Sequence, residues 1–220
     1  LKKHGIFVIE VQYLMDTIEK MTFDNIYHEH LYYYTLTSLI NFFKNHGMEV
    51  FDVKRVDSHG SSLRVFIKRA EDKHKIKDSV NKILDYEKKM GVENIELYKK
   101  FADNVYSVKK KLVSYIKDIK KCGKTIAAYG APAKGNTLLN FCSIGADYIK
   151  YVVEDNKLKI GLYTPGTHIP VVGPETLDDE TPDYIIILAW NFAKEILEKT
   201  KKYSEQGVKF IIPLPEPRIA

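Results

Sequence analysis

A chain of 220 residues has room for one large domain or two small ones, and 45% apolar side chains suit a globular fold with a sizeable core. The net charge of +5, from 34 basic and 29 acidic side chains, favours an anionic ligand such as a nucleotide diphosphate but is too small and dispersed to argue for nucleic acid. The longest apolar run, residues 184–190, is about a third of a membrane span, and no signal-peptide pattern opens the chain. Cys122 and Cys142 form neither a disulfide framework nor a C-x-x-C pair, which points to a reducing, cytoplasmic setting and no metal cluster.

Residues 6–10, Ile-Phe-Val-Ile-Glu, read as a buried strand entered from Lys2-Lys3-His4-Gly5. Residues 12–20 hold Tyr13, Leu14, Met15 and Ile18 and read as a short helix or turn. Next, Tyr27, His28, Glu29 and His30 stand in a row: phenol, imidazole, carboxylate, imidazole. Histidine titrates near neutrality and is the usual proton carrier in catalysis. An adjacent carboxylate orients the ring or raises its pKa. On a helix Tyr27 and His30 would share a face. On a strand His28 and His30 would share one, with Tyr27 and Glu29 opposite. Thr35 or Thr37 is placed to cap the following helix, whose Leu39, Ile40, Phe42 and Phe43 fall at helical spacing and which Asn45-His46-Gly47 closes. His46 therefore reads as a helix-end residue. Residues 48–53 and 63–68 read as two strands, with Val65 and Ile67 alternating against Arg64, Phe66 and Lys68. Their polar connection carries His59 and Gly60. His59 is a candidate ligand contact, since binding residues collect on loops; an ordinary hairpin loop is the other reading.

Residues 72–90 read as an amphipathic helix with Ile76, Val80, Ile83 and Leu84 on its apolar face. Gly91 interrupts, and residues 93–121 continue as a long helix whose lysine-rich face meets solvent. From Thr125 the period changes. A short strand, 125–129, enters Gly130-Ala131-Pro132-Ala133-Lys134-Gly135-Asn136, and a helix follows over 137–142. Strand, glycine loop and helix aim backbone N–H groups and a helix dipole at an anion. Pro132 and Lys134 depart from the dinucleotide fingerprint, and Lys134 lacks the spacing and the following Ser or Thr of a P-loop. Gly130 and Lys134 are candidate anion contacts, against a plain strand–helix turn. Residues 148–154 read as the second strand of this lobe, ending at Glu154, an acid placed to bond ribose hydroxyls or simply to end the strand. His168, in Thr-His-Ile-Pro, reads as held in extended geometry, making a structural hydrogen bond or touching substrate. Residues 184–188 suit a strand buried on both faces of a parallel sheet, and Trp190 and Asn191 follow at its carboxyl end, where ligands sit in such sheets. Trp190, the single tryptophan, stacks on a base or sugar or fills the core. Residues 192–206 read as one helix stopped by Gly207, and 209–214 as the last strand. The alternation predicts an α/β chain with a parallel, Rossmann-like lobe.

Six blocks carry a resemblance: residues 23–34; His59-Gly60-Ser61-Ser62-Leu63-Arg64-Val65; residues 129–136; Tyr163-Thr164-Pro165-Gly166-Thr167-His168-Ile169-Pro170; Leu188-Ala189-Trp190-Asn191-Phe192; and Pro213-Leu214-Pro215-Glu216-Pro217-Arg218. In this order they resemble the S-adenosylmethionine-dependent sugar C-methyltransferases, which act on nucleotide-linked keto-deoxysugars. One position departs, Ser61 standing where the family usually has a second glycine. The resemblance implies that residues 1–70 finish a class I methyltransferase-like domain, 71–122 form linking helices, and 123–220 form a Rossmann-like substrate-binding lobe, with the nucleotide-diphosphate sugar between the lobes. It implies S-adenosylmethionine as cofactor and zinc in a cysteine-rich N-terminal module. Neither that module nor the glycine-rich cofactor loop is in the sequence, so the expectation is the C-terminal part of a longer enzyme whose cofactor site lies largely outside this chain. By the same match His30 is the base, Tyr27 and Glu29 flank the reacting sugar, and His28 is structural. Glu10 ends a strand near the chemistry by analogy. Neither nucleic acid nor membrane is an expected partner.

From the residues themselves two other classes stay open. One is a non-catalytic nucleotide-sugar binding module. The other is a metalloenzyme using His28 and His30 as a pair, with His59 or Glu10 as a further ligand.

Overall fold

The computed structural model describes residues 1–56 and 62–220. The chain divides into two compact units: Leu1–Phe23 with His28–Asp103, and Asp24–Tyr27 with Asn104–Ala220.

The first unit holds β1 (Phe7–Gln12), α1 (Leu14–Glu19), α2 (Leu36–Asn45), β2 (Met48–Val56), β3 (Ser62–Arg69), α3 (Asp78–Met90) and the start of α4 (Ile95–Lys121). Its sheet is antiparallel in the order β1-β3-β2. Alternation sets the faces of central β3: Leu63, Val65 and Ile67 are fully buried against Tyr13, Leu36 and Phe43. The sequence predicts a buried β1. Among the described residues the strand instead lies at the sheet edge, pairing with β3 alone, and Phe7 and Val8 are 42% and 46% exposed. A bulge between Val50 and Asp52 interrupts the register of β2, so that Val50, Phe51 and Val53 are all buried. Thr35 caps α2 in a reciprocal box with Ser38. Glycines at positive φ, Gly47 and Gly91, follow α2 and end α3. Helix α3 begins at Asp78, later than its apolar pattern suggests. Asp72 turns the chain by accepting from the His74 N–H, and the Lys77 N–H is bound to the Phe51 carbonyl.

Glu87 is the polar centre of this unit. It sits on α3, fully buried. Oε1 accepts from the Tyr13 hydroxyl at 3.0 Å and the Leu36 N–H at 2.6 Å, while Oε2 accepts from the Thr37 N–H at 2.8 Å and the Thr37 hydroxyl at 2.6 Å. The carboxylate thus satisfies orphan donors at the start of α2 and lies where the helix dipole favours negative charge. Burial and Glu87 together push the Tyr13 phenol above its ordinary range, which keeps it a donor.

The second unit is built on β4 (Ile126–Tyr129), α5 (Ala133–Cys142), β5 (Val152–Val153), β6 (Val171–Val172), α6 (Thr176–Asp179), β7 (Tyr184–Ile187), α7 (Ala193–Lys199), α8 (Lys201–Glu205), β8 (Lys209–Ile212) and β9 (Arg218–Ile219). Strand order is β6-β5-β4-β7-β8-β9, parallel except for β9. The sequence progression steps outward from β4 to β5 and β6, then returns past β4 to β7. This is the doubly wound pattern, with its topological switch between β4 and β7. Ala127, Ala128, Ile185, Ile186 and Ile187 are fully buried, as strands covered on both faces require. Helix α5 lies close to this sheet through Gly135, where a Cβ would stand 3.1 Å from the Leu188 Cβ. Three expectations shift. Helix α5 starts at Ala133 and so contains Lys134. The strand expected over 148–154 narrows to two residues. The helix expected over 192–206 is a 3-10 turn at Trp190–Phe192 followed by α7 and α8. Among the described residues no helix is long and apolar enough to cross a membrane.

Replacing Glu87 by Ala leaves the Tyr13 hydroxyl and the first N–H groups of α2 buried without their acceptor. We expect a loss of at least about 3 kcal/mol of unfolding free energy, from charge-assisted bonds of roughly 1.5–3 kcal/mol each, read as a fall in the urea midpoint. Glu87→Gln, which keeps an acceptor oxygen, should lose less.

Candidate functional site

The Tyr-His-Glu-His stretch is neither helix nor strand; residues 27–29 form a bend and turn after a 3-10 turn at Phe23–Asn25. Neither helical nor strand periodicity therefore decides which of its groups cooperate. In the first unit, Glu29, His30, Leu31, Tyr32 and Tyr34 line a cavity of about 420 Å³ with Glu10, Val11 and Gln12 of β1 and Ser62 of β3. Backbone pairing places them there: the Tyr34 N–H donates to the Gln12 carbonyl at 3.2 Å and the Leu14 N–H to the Tyr34 carbonyl at 2.9 Å. His30 is half-buried, its ring 6.3 Å from that of Tyr33. Glu10 faces Arg64 across the β1–β3 ladder and pairs with it at 2.8 Å, so an acid at this cavity carries its own counter-ion. Tyr27 groups with the second unit, and His28 is exposed. Among the described residues no cluster of three or more His, Cys, Asp or Glu side chains is placed to hold a metal ion. His59 lies outside the described residues.

In the second unit a cavity of about 390 Å³ opens at the carboxyl ends of β4, β5 and β7, at the switch point. Gly130, Pro132, Glu154, Asp155, Phe192 and Lys199 are among its lining. Gly130 is required there: its φ is +85°, and a Cβ would stand 2.8 Å from the Ala189 Cβ. The loop's anion is the chain's own. Glu154 Oε2 accepts from the Ala131 N–H at 2.9 Å, and Oε1 accepts from the Asp155 and Asn156 N–H groups at 2.9 and 3.0 Å. Burial works to raise this carboxyl, but the Asn156 and Ala131 N–H groups and Lys159 overcome it and hold it below the usual range. Beside it the Tyr129 hydroxyl reaches Asp155 at 3.2 Å, and Lys199 pairs with the same carboxylate.

Lys134 and Trp190 meet elsewhere in this unit. The Lys134 ammonium lies 4.2 Å from the Trp190 ring centroid. The indole N–H of Trp190 donates at 2.6 Å to Asp24 Oδ2. Asp24 is fully buried. Its other oxygen, near the N–H groups of Asp24 and Asn25, forms no well-made hydrogen bond. Burial pushes this carboxyl up to about 6, against the opposing pull of Trp190 and Lys134. Burial likewise lowers Lys134, and Asp24 opposes that.

Asn191 is exposed on the 3-10 turn. His168 is also exposed, and the extended geometry expected of it is corrected: its φ is +53°. Ile169 is the residue that precedes proline and carries that restriction. His168 instead turns the chain, its N–H bound to the Thr164 carbonyl at 2.9 Å. Asp24, Tyr129, Asp155 and Lys199 were not singled out by sequence reasoning. Asp24 lies inside the aromatic-rich block at 23–34, but its partner is 166 positions away, and no local pattern signals such a pair.

The second unit is thus a Rossmann-like α/β lobe with an open switch point. The model of the C-methyltransferase C-terminal domain matches residues 57–215, and the chain belongs to that family. It is similar to "C-methyltransferase NovU" of Streptomyces niveus, 38% identical over 219 residues, a match covering 100% of this chain and 52% of that protein. The chain therefore spans about half the length of this curated relative.

The sign of the Asp24 shift yields a stability test. Its folded value is raised, so the folded state binds the proton more tightly than the unfolded chain, and stability falls as pH rises between the ordinary value of 3.8 and about 6. Above that window the ionised carboxylate costs roughly 3 kcal/mol. Asp24→Asn should therefore raise the unfolding free energy at about pH 7.5 by an amount of this order and change it little near pH 4, as measured by urea titration at the two pH values.

Proposed function

We propose that this chain supplies the C-terminal part of an S-adenosylmethionine-dependent C-methyltransferase, acting at the carbon next to the ketone of a nucleotide-linked keto-deoxysugar. Membership of the C-methyltransferase family supports the reaction class. The observation that carries the chemistry is the cavity in which Glu29 and His30 lie together, beside a Glu10 already paired with Arg64.

A carbon beside a ketone is not nucleophilic until its proton leaves. The reaction needs a base that titrates near neutrality and a donor for the enolate oxygen. His30 takes the proton in this reading. Glu29 orients His30 or the sugar, Tyr27 donates to the keto oxygen, and His28 is structural. S-adenosylmethionine supplies the methyl group as a sulfonium. The described residues of the first unit offer it no glycine-bearing strand-to-helix turn: β1 passes through Tyr13 directly into α1. We assign its site, and that of the zinc module, to sequence outside this chain. Contacts to the nucleotide-sugar are assigned to His59, Gly130, Lys134, Glu154, His168, Trp190 and Asn191. Gly130 and Glu154 support this by lining the switch-point cavity, where nucleotides bind in doubly wound sheets.

In the full-length gene product, His30→Ala should lower kcat by about 10²–10⁴-fold, the usual contribution of a general base, while calorimetry shows undiminished binding of the nucleotide-sugar. Parental turnover in that variant would refute the base assignment.

A further inference from the structure

We propose that Asp24, Trp190 and Lys134 form a positioning clamp that fixes the segment Asp24–Tyr27, and with it the starting position of Tyr27. The role deepens the reading above, since it rests on Tyr27 being a substrate-facing group. The three side chains come from three places in the second unit: the 3-10 turn at Phe23–Asn25, the 3-10 turn after β7, and the first turn of α5. Tyr27 stands three residues beyond Asp24, and its N–H donates to the Asn25 carbonyl at 3.0 Å. It lies on a bend outside helix and strand. Side chains anchored elsewhere in the fold contribute to holding such a segment. Trp190 provides an anchor through its 2.6 Å bond to Asp24, and the Lys134 ammonium lies over the indole, 4.2 Å from the ring centroid.

The parts are more elaborate than packing needs. An asparagine would also accept the indole N–H and would not place a charge in a fully buried position. The carboxylate does what the amide cannot: it draws on the N–H of Trp190 and on the ammonium of Lys134 together. The groups that act most on Asp24 are these two and the backbone N–H groups of Asp24 and Asn25. Protonation of Asp24 therefore removes one charge from a set of two and slackens the hold on both partners. Strongly shifted buried carboxylates cluster at functional sites.

Trp190 is the only tryptophan in this chain, and its emission reports the clamp directly. In the 220-residue chain, scanned over about pH 4.5–8, Trp190 emission should titrate with a midpoint at about 6. The titration should vanish in Asp24→Asn, and amide exchange at Asn25 and Tyr27 should rise in Trp190→Phe. In the full-length enzyme, Asp24→Asn should lower kcat by about tenfold or more with KM unchanged, as a small misplacement of a reacting group does. Since Asp24→Asn is expected to be the more stable protein above pH 6, unfolding would not account for that loss. Emission that titrates alike in Asp24→Asn, or parental kcat in Asp24→Asn, overturns the clamp. His30→Ala, assayed in parallel, separates the two assignments. If it is inactive while Asp24→Asn is fully active, the clamp falls and the base stands. If it is active while Asp24→Asn abolishes the emission titration and Trp190→Phe loosens the amides, the base falls and the clamp stands.

Discussion

The carboxylate of Glu87 is the constraint on which the first unit depends. It is fully buried and reaches into the start of α2 and the end of β1 at once, through Leu36, Thr37 and Tyr13. A charge so deep is tolerated only when its lone pairs are taken up, and four donors take them. The consequence reaches the proposed chemistry. Residues 30–34 are strung between two points: Tyr34, bound to the strand end at Gln12 and Leu14, and the capped start of α2. Glu87 fixes both, because Tyr13 lies in the bridge to Tyr34 and Leu36 opens the helix. The wall of the cavity that bears His30 is held in place by a residue on α3 that does not line it.

The second unit uses the same device at its switch point. Glu154 accepts three backbone N–H groups, one from the glycine loop after β4 and two from its own strand end. A loop that crosses from one strand to another without regular pairing needs such a partner for its donors. The acid that sequence position offers to a ribose is already engaged in shaping the loop, and Gly130 leaves the room that the Ala189 Cβ requires. Shape and charge here come from a single carboxylate and one missing Cβ.

Much of this was legible in the chain because it is local. The Thr35 cap, the Gly47 and Gly91 stops, the alternation of β3 and the apolar run of β7 each follow from a few neighbouring residues. So does the α/β pattern, since strand and helix periods differ. The rest depends on partners far away in the sequence. The exposure of β1 depends on which strand ends the sheet, and Ile6-Phe7-Val8 carries no mark of that. The late start of α3 follows from one Asp72 turn and a bond to β2. His168 departs from extended geometry because the constraint of proline falls on its neighbour. In the site, Lys134 and Trp190 attract attention as residue types, but their meeting over Asp24 joins three segments that no spacing rule links.

Asp24 differs from Glu87 and Glu154 in the way that matters most. Asp24 and Glu87 are fully buried and Glu154 partly so. Two are surrounded by donors that satisfy both oxygens, and their service to the backbone accounts for their presence. Asp24 has one strong donor, the indole of Trp190, and a second oxygen poorly served, with Lys134 acting through the field and not by contact. Burial raises its titration, and these partners only partly offset it. Selection for stability alone would replace it with a neutral acceptor, since the hydrogen bond to Trp190 does not need the charge. The charge has a use only if holding Lys134 and Trp190 together serves something beyond the fold. In the clamp we propose, that use is to position the segment that follows, with Tyr27 on a bend outside helix and strand.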